Sequence, residues 1–201
     1  LPRSFHSAKG FMLIELLVVI GLILILYVMY LSPSSRPYQR RQQATCRRNL
    51  QFVYIALQTY ATDSKTFYPA IKGAKTSEEP LSLLVPRYTT ATENFICPGA
   101  GHRKLPAGQP FQKRKISYAY VMGLTSEAPT DQWIMSDTQA SSGSNQGTDI
   151  LFSPDGKSAG RNHREFGGNL LFCDGRAEFS PAKTLRRLTI PGKAVALNPK
   201  P

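Results

Sequence analysis

Glu15 is the one charged residue in an apolar run from Phe11 to Leu31. A carboxylate inside a membrane-length segment costs roughly 2.5–3.5 kcal/mol at the centre and less toward an end, so it calls for a cationic partner. Three cysteines, Cys46, Cys97 and Cys173, offer thiol chemistry. In an oxidising compartment their natural count is one pair and one free thiol. Their wide spacings contain no Cys-x-x-Cys, so a zinc site is not expected from spacing. Cys173 and Asp174, with His163 upstream, have the residue types of a thiol nucleophile site. Adjacent strand residues point to opposite faces, however, and Asp174-Gly175 is accounted for by a two-residue hairpin turn. His163 therefore reads as a hydrogen-bonded residue that ties a loop to the hairpin. Asp137, Asp149, Asp155 and Asp174 are the carboxylates open to calcium, which takes about six to eight oxygens. No D-x-D-x-D-G loop arranges them, so the residues alone assign none to calcium and the metal ligands stay open. With no HExxH and no glycine-rich loop leading into a helix, the chain carries no catalytic motif, and no enzymatic activity is expected.

These groups have to be held by a small set of elements. Residues 11–31 are long enough, at about 1.5 Å per residue, to cross one hydrocarbon thickness. A secretory signal peptide has a shorter apolar core and a small-residue cleavage site, and Tyr30-Leu31-Ser32-Pro33 is not one. Pro33 and Pro37 then predict a break. A second helix is expected from about Tyr38 to Thr62, with Leu50, Val53, Tyr54, Leu57 and Ala61 on one apolar stripe and Arg40, Arg47, Arg48 and Gln51 opposite. Asp63-Ser64 stops it. Leu81 to Val85 reads as a short helix ending at Pro86, and residues 116–122 and 133–137 have strand composition. Ser141 to Gly147 reads as a flexible loop. Asn169 to Cys173, the Asp174-Gly175 turn and Arg176 to Phe179 form a hairpin, and the tail from Pro181 to Pro201 is expected to end disordered. The fold class is therefore α+β, a long helix on a small antiparallel sheet. The net charge of +12 and pI near 9.8 favour contact with acidic polymers or anionic headgroups.

The segment Lys9-Gly10-Phe11-Met12-Leu13-Ile14-Glu15 resembles the cleavage signal of type IV prepilins and type II secretion pseudopilins. Two further regions resemble the pseudopilin-like proteins abundant in planctomycetes and verrucomicrobia. One is the helix start Cys46-Arg47-Arg48-Asn49-Leu50, with Tyr60, Asp63 and Pro69 beyond it and the Phe95-Ile96-Cys97-Pro98 element further on. The other is the C-terminal hairpin, where His163 precedes Gly168-Asn169-Leu170-Leu171-Phe172-Cys173-Asp174-Gly175. The interval from His163 to Asp174 is one residue longer than that group's usual one.

The resemblance implies a leader over 1–10, a transmembrane helix over 11–31, a kinked linker and amphipathic helix over 32–62, and a pilin-like head over 63–201. It implies cutting after Gly10 by a prepilin peptidase and methylation of Phe11. It places the chain once across the bacterial inner membrane, with its head in the periplasm until an assembly platform and ATPase draw it into a filament. There Glu15 neutralises a neighbour's new amine and sets axial register. It also implies a Cys46–Cys97 disulfide. The positive-inside rule alone favours the opposite orientation, since Arg36, Arg40, Arg41, Arg47 and Arg48 outnumber Arg3 and Lys9; the cleavage signal requires the N-terminus inside.

Two other readings compete. One is a DNA-binding minor pilin, motivated by Arg103, Lys104, Lys113, Arg114 and Lys115, with Phe111, Tyr118 and Tyr120 near enough to stack on bases. The other is a non-polymerising anchored head that binds carbohydrate or calcium. Pilus against pseudopilus, major against minor subunit, the exported substrate and the start of the leader stay open.

Overall fold

The computed structural model describes residues 12–31, 35–111, 114–138, 145–146, 150–152, 162–163, 167–181, 186–188 and 190–201. The chain divides into two compact units, residues 1–36 and 37–201. In the first, α1 runs from Leu13 to Leu31. Its window Leu13–Tyr30 has a mean hydropathy of 2.7 and none of it is buried. This helix is long and apolar enough to cross a membrane. Glu15 lies in its first turn, exposed.

The second unit is built on α2, Ser35–Asp63. The helix starts earlier than the prolines predict. Pro37 falls in its first turn, where a backbone N–H has no intrahelical acceptor to lose. Residues 32–34, where the break was expected, lie outside the described residues. Cys46, Leu50, Val53, Ala56, Leu57 and Ala61 form the buried stripe, while Arg40, Arg47, Arg48 and Gln51 stay exposed. Each large side chain buried there stabilises the head by roughly 1.5–3 kcal/mol. Beyond α2 a short helix, α3 (Glu78–Leu81), passes into a 3-10 turn at Ser82–Leu84.

The sheet comprises β1 (Tyr118–Met122), β2 (Trp133–Asp137), β3 (Asn145–Gln146), β5 (Gly168–Phe172), β6 (Ala177–Ser180) and β8 (Val195–Leu197). A separate pair joins β4 (Ile150–Phe152) to β7 (Arg186–Leu188). The main sheet has the order β3-β8-β1-β2-β5-β6, and every pairing in it is antiparallel. Tyr118, Tyr120, Trp133, Ile134, Leu170 and Leu171 fill the core together with the α2 stripe.

Three expectations change. The tail does not end disordered: β7 and β8 come from it, β8 pairs with β1 through Tyr120 and Leu197, and the Lys200 N–H donates to the Glu78 carboxylate at 3.0 Å. Val195-Ala196-Leu197 is too short a run to read as a strand alone; the edge of β1 supplies its hydrogen bonds. The loop at 141–147 contributes Asn145–Gln146 to the sheet, and its remaining residues lie outside the described residues. The hairpin turn spans three residues. Gly175 N–H donates to Phe172 C=O (3.0 Å) and Phe172 N–H to Arg176 C=O (3.0 Å). Only Gly175 in that turn is left-handed (φ +83°), the type I turn plus glycine bulge.

Candidate metal centre

Four donor groups from four segments meet inside the head. Cys46 stands on the buried stripe of α2, one turn before Leu50. Cys97 sits in extended backbone just before the 3-10 turn Pro98–Ala100. Asp137 ends β2. His163 lies in a short 3-10 stretch upstream of β5. All four are buried, and one donor atom from each lies within 4.8 Å of the other three. Cys46 Sγ is 3.4 Å from Asp137 Oδ1, Cys97 Sγ is 3.2 Å from His163 Nε2, and His163 Nε2 is 3.8 Å from Asp137 Oδ2.

A second layer holds these groups in place. Tyr118 Oη contacts Cys46 Sγ at 3.1 Å. The backbone N–H of Asn169 donates to Asp137 Oδ2 at 2.8 Å, and Asn162 Nδ2 donates to Asp137 Oδ1 at 3.1 Å and to the Ser117 carbonyl at 2.6 Å. Gly99 leaves space for the imidazole: a Cβ there would stand 2.6 Å from His163 Nδ1 and 2.5 Å from the Asn162 carbonyl.

Burial controls the charge. It raises the Asp137 carboxyl to about 7, against the hydrogen bonds from Asn169, Cys46 and Asn162 that favour the anion. It lowers His163 to about 4, so at neutral pH the imidazole is uncharged and its contact with Asp137 is no ion pair. Burial likewise holds the Cys46 thiol well above its usual range.

The arrangement does not suit a nucleophilic relay. Cys97 and Asp137 both face Nε2 of His163, whereas a relay places the acid on the other ring nitrogen. All four side chains are sealed from solvent. Cys46 and Cys97 carry free thiols in the structure, as does Cys173, and the first two share a cluster with a carboxylate and an imidazole. Cys173, Asp174 and His163 do not form a unit. Cys173 is buried, Asp174 faces Arg176 (3.4 Å) on the hairpin, and His163 is turned to Cys97. The expectation against zinc rested on spacing in sequence, and that spacing does not register the four segments from which the fold draws these donors.

The remaining predicted sites fall elsewhere. Gly10, Phe11 and Lys113 lie outside the described residues, as do Asp149 and Asp155. Arg103, Lys104, Arg114 and Lys115, with His102 and Leu105, line one cleft of about 410 Å³. Burial and the Lys115 ammonium lower the His102 pKa. Phe111, Tyr118 and Tyr120 are fully buried, so they cannot stack on bases there. The sequence reading missed Asp137 as a partner of the two cysteines. Its position in Trp133-Ile134-Met135-Ser136-Asp137, an acid closing an apolar strand, was the available signal. No family model, curated protein or solved structure matches this chain.

Proposed function

We propose that this chain is a structural subunit of a type IV pilus-like or type II secretion pseudopilus filament, cleaved after Gly10, methylated at Phe11 and held in the inner membrane before assembly. The observation that carries this reading is α1: a helix apolar enough to span a bilayer, unburied along its length, with a single carboxylate in its first turn. In a bilayer or a filament core that carboxylate needs a cation, and a free amine at Phe11 of a neighbouring copy supplies one. The long α2 packed on an antiparallel sheet is the head such a subunit requires. The partners are further copies of itself, a prepilin peptidase, an assembly platform with its ATPase, and the lipid bilayer.

Co-expression with a prepilin peptidase, followed by intact-mass measurement of the membrane-bound product, tests the reading. Loss of residues 1–10 with gain of one methyl group is the expected result. An intact leader, where a control prepilin is cut, would leave a simple anchor. The cleft walled by Arg103, Lys104, Arg114 and Lys115 favours a second reading, a head that binds an anionic polymer through its backbone charge rather than by base stacking.

A further inference from the structure

We propose that Cys46, Cys97, Asp137 and His163 form a resident site for one divalent transition ion of the zinc type, a closed structural centre that fastens α2 to the sheet of the head. This stands independently of the membrane reading above.

The distances fit the ion. A tetrahedral centre with sulfur at about 2.3 Å and nitrogen or oxygen at about 2.0–2.1 Å has ligand-to-ligand edges of about 3.3–3.8 Å. Here Cys97 Sγ and His163 Nε2 are 3.2 Å apart, one Asp137 oxygen is 3.4 Å from Cys46 Sγ and the other 3.8 Å from His163 Nε2, and with one donor atom taken from each residue all four lie within 4.8 Å of one another. The donor set of two sulfurs, one imidazole nitrogen and one carboxylate oxygen suits a borderline-soft ion, and it departs from the all-oxygen shells of calcium and magnesium. Four protein ligands complete the tetrahedron and none is exposed, so no position is left for water or substrate; this is the pattern of structural rather than catalytic zinc.

The surroundings fit as well. The Asn169 N–H and the Asn162 amide orient the carboxylate, and Tyr118 Oη points at the Cys46 sulfur, as outer-shell groups do around bound metals. Binding through Nε2 fixes the imidazole proton on Nδ1, beside Gly99. The step balances: the two thiols, and the Asp137 carboxyl where it is protonated, release their protons to solvent, each sulfur, oxygen and nitrogen donor gives one electron pair to the metal, and nothing is oxidised. A disulfide is the competing outcome. It would consume both sulfurs and release two electrons to an oxidant, and it would leave Asp137 and His163 buried without a cation.

The test uses the full chain in detergent micelles, reduced and freed of metal by chelation, with Zn2+ and then Co2+ as probes. One equivalent of Zn2+ should bind, and Co2+ should give the visible bands of a tetrahedral ion together with sulfur-to-cobalt charge transfer. Cys46→Ser and Asp137→Asn should each weaken binding by at least about 10-fold. Cys173→Ser should leave stoichiometry and spectrum unchanged, which separates this site from general thiol binding. If the ligand variants fail to fold, the parent's own cobalt spectrum and stoichiometry still decide. Absence of stoichiometric binding by the reduced, folded parent would overturn the proposal. So would a Cys46–Cys97 disulfide in protein isolated without reductant, if that protein binds no metal once the bond is reduced.

Discussion

Cys173 shows how differently one side-chain type behaves in two places. It is 4% exposed at the end of β5, where burial and then the neighbouring Asp174 carboxylate raise its thiol to about 12. An unfolded chain gives up a thiol proton at about pH 8.5. Between those two values the unfolded chain binds fewer protons than the native one, so stability falls as pH rises; below the window the thiol has no effect on the pH profile. The predicted signature is a stability loss between about pH 9 and 11 that becomes shallower in Cys173→Ala. Urea unfolding of parent and variant across that range measures it, and parallel profiles would show that the thiol ionises in the native state. Cys46 is raised by burial too, but it lies beside a carboxylate, an imidazole and a second thiol. The same residue type is inert in one setting and a ligand candidate in the other because of its neighbours, which no count of cysteines contains.

At the scale of elements, α2 has one face committed to the core and one face free. Leu57 is fully buried, and Leu57→Ala should cost about 2–5 kcal/mol. Ile55, two positions away, is 60% exposed, and Ile55→Ala should stay within about 0.5 kcal/mol of the parent. Chemical denaturation of the two variants side by side checks the assignment, and comparable losses would mean that the stripe is misplaced. That stripe was legible in the sequence because a 3.6-residue period repeats over several turns, and α2 ends at Asp63 where a stop was read. Strand β2 matches its expected span, and β1 lies within its own. What escaped the reading was non-local. Val195–Leu197 becomes a strand only because β1 offers it an edge. The cluster of donors escaped for the same reason. Each of its four residues sits in a different segment, and sequence spacing reports metal sites only when ligands lie close along the chain. The hairpin at Gly175 was placed correctly, but its turn type depended on hydrogen bonds that spacing does not encode.

Across the whole molecule, the two units divide their work. α1 is an unburied helix long and apolar enough to cross a membrane, while residues 37–201 carry their own core. Glu15 is exposed on α1 and lies outside that core, so Glu15→Ala should leave the thermal unfolding of the head and membrane insertion unchanged while filament yield falls sharply. Membrane fractionation and electron microscopy of sheared material from cells expressing each form give the comparison; undiminished filaments would remove Glu15 from assembly. The strand order has a further consequence, and it concerns timing. β8 lies between β3 and β1, yet Tyr120 meets its partner Leu197 only after the intervening chain has emerged. Pairings of such long sequence separation close slowly. Until β8 arrives, one edge of β1 is an open template for a second chain. The interval between those two arrivals, rather than the stability finally reached, governs how often a newly made chain misassembles.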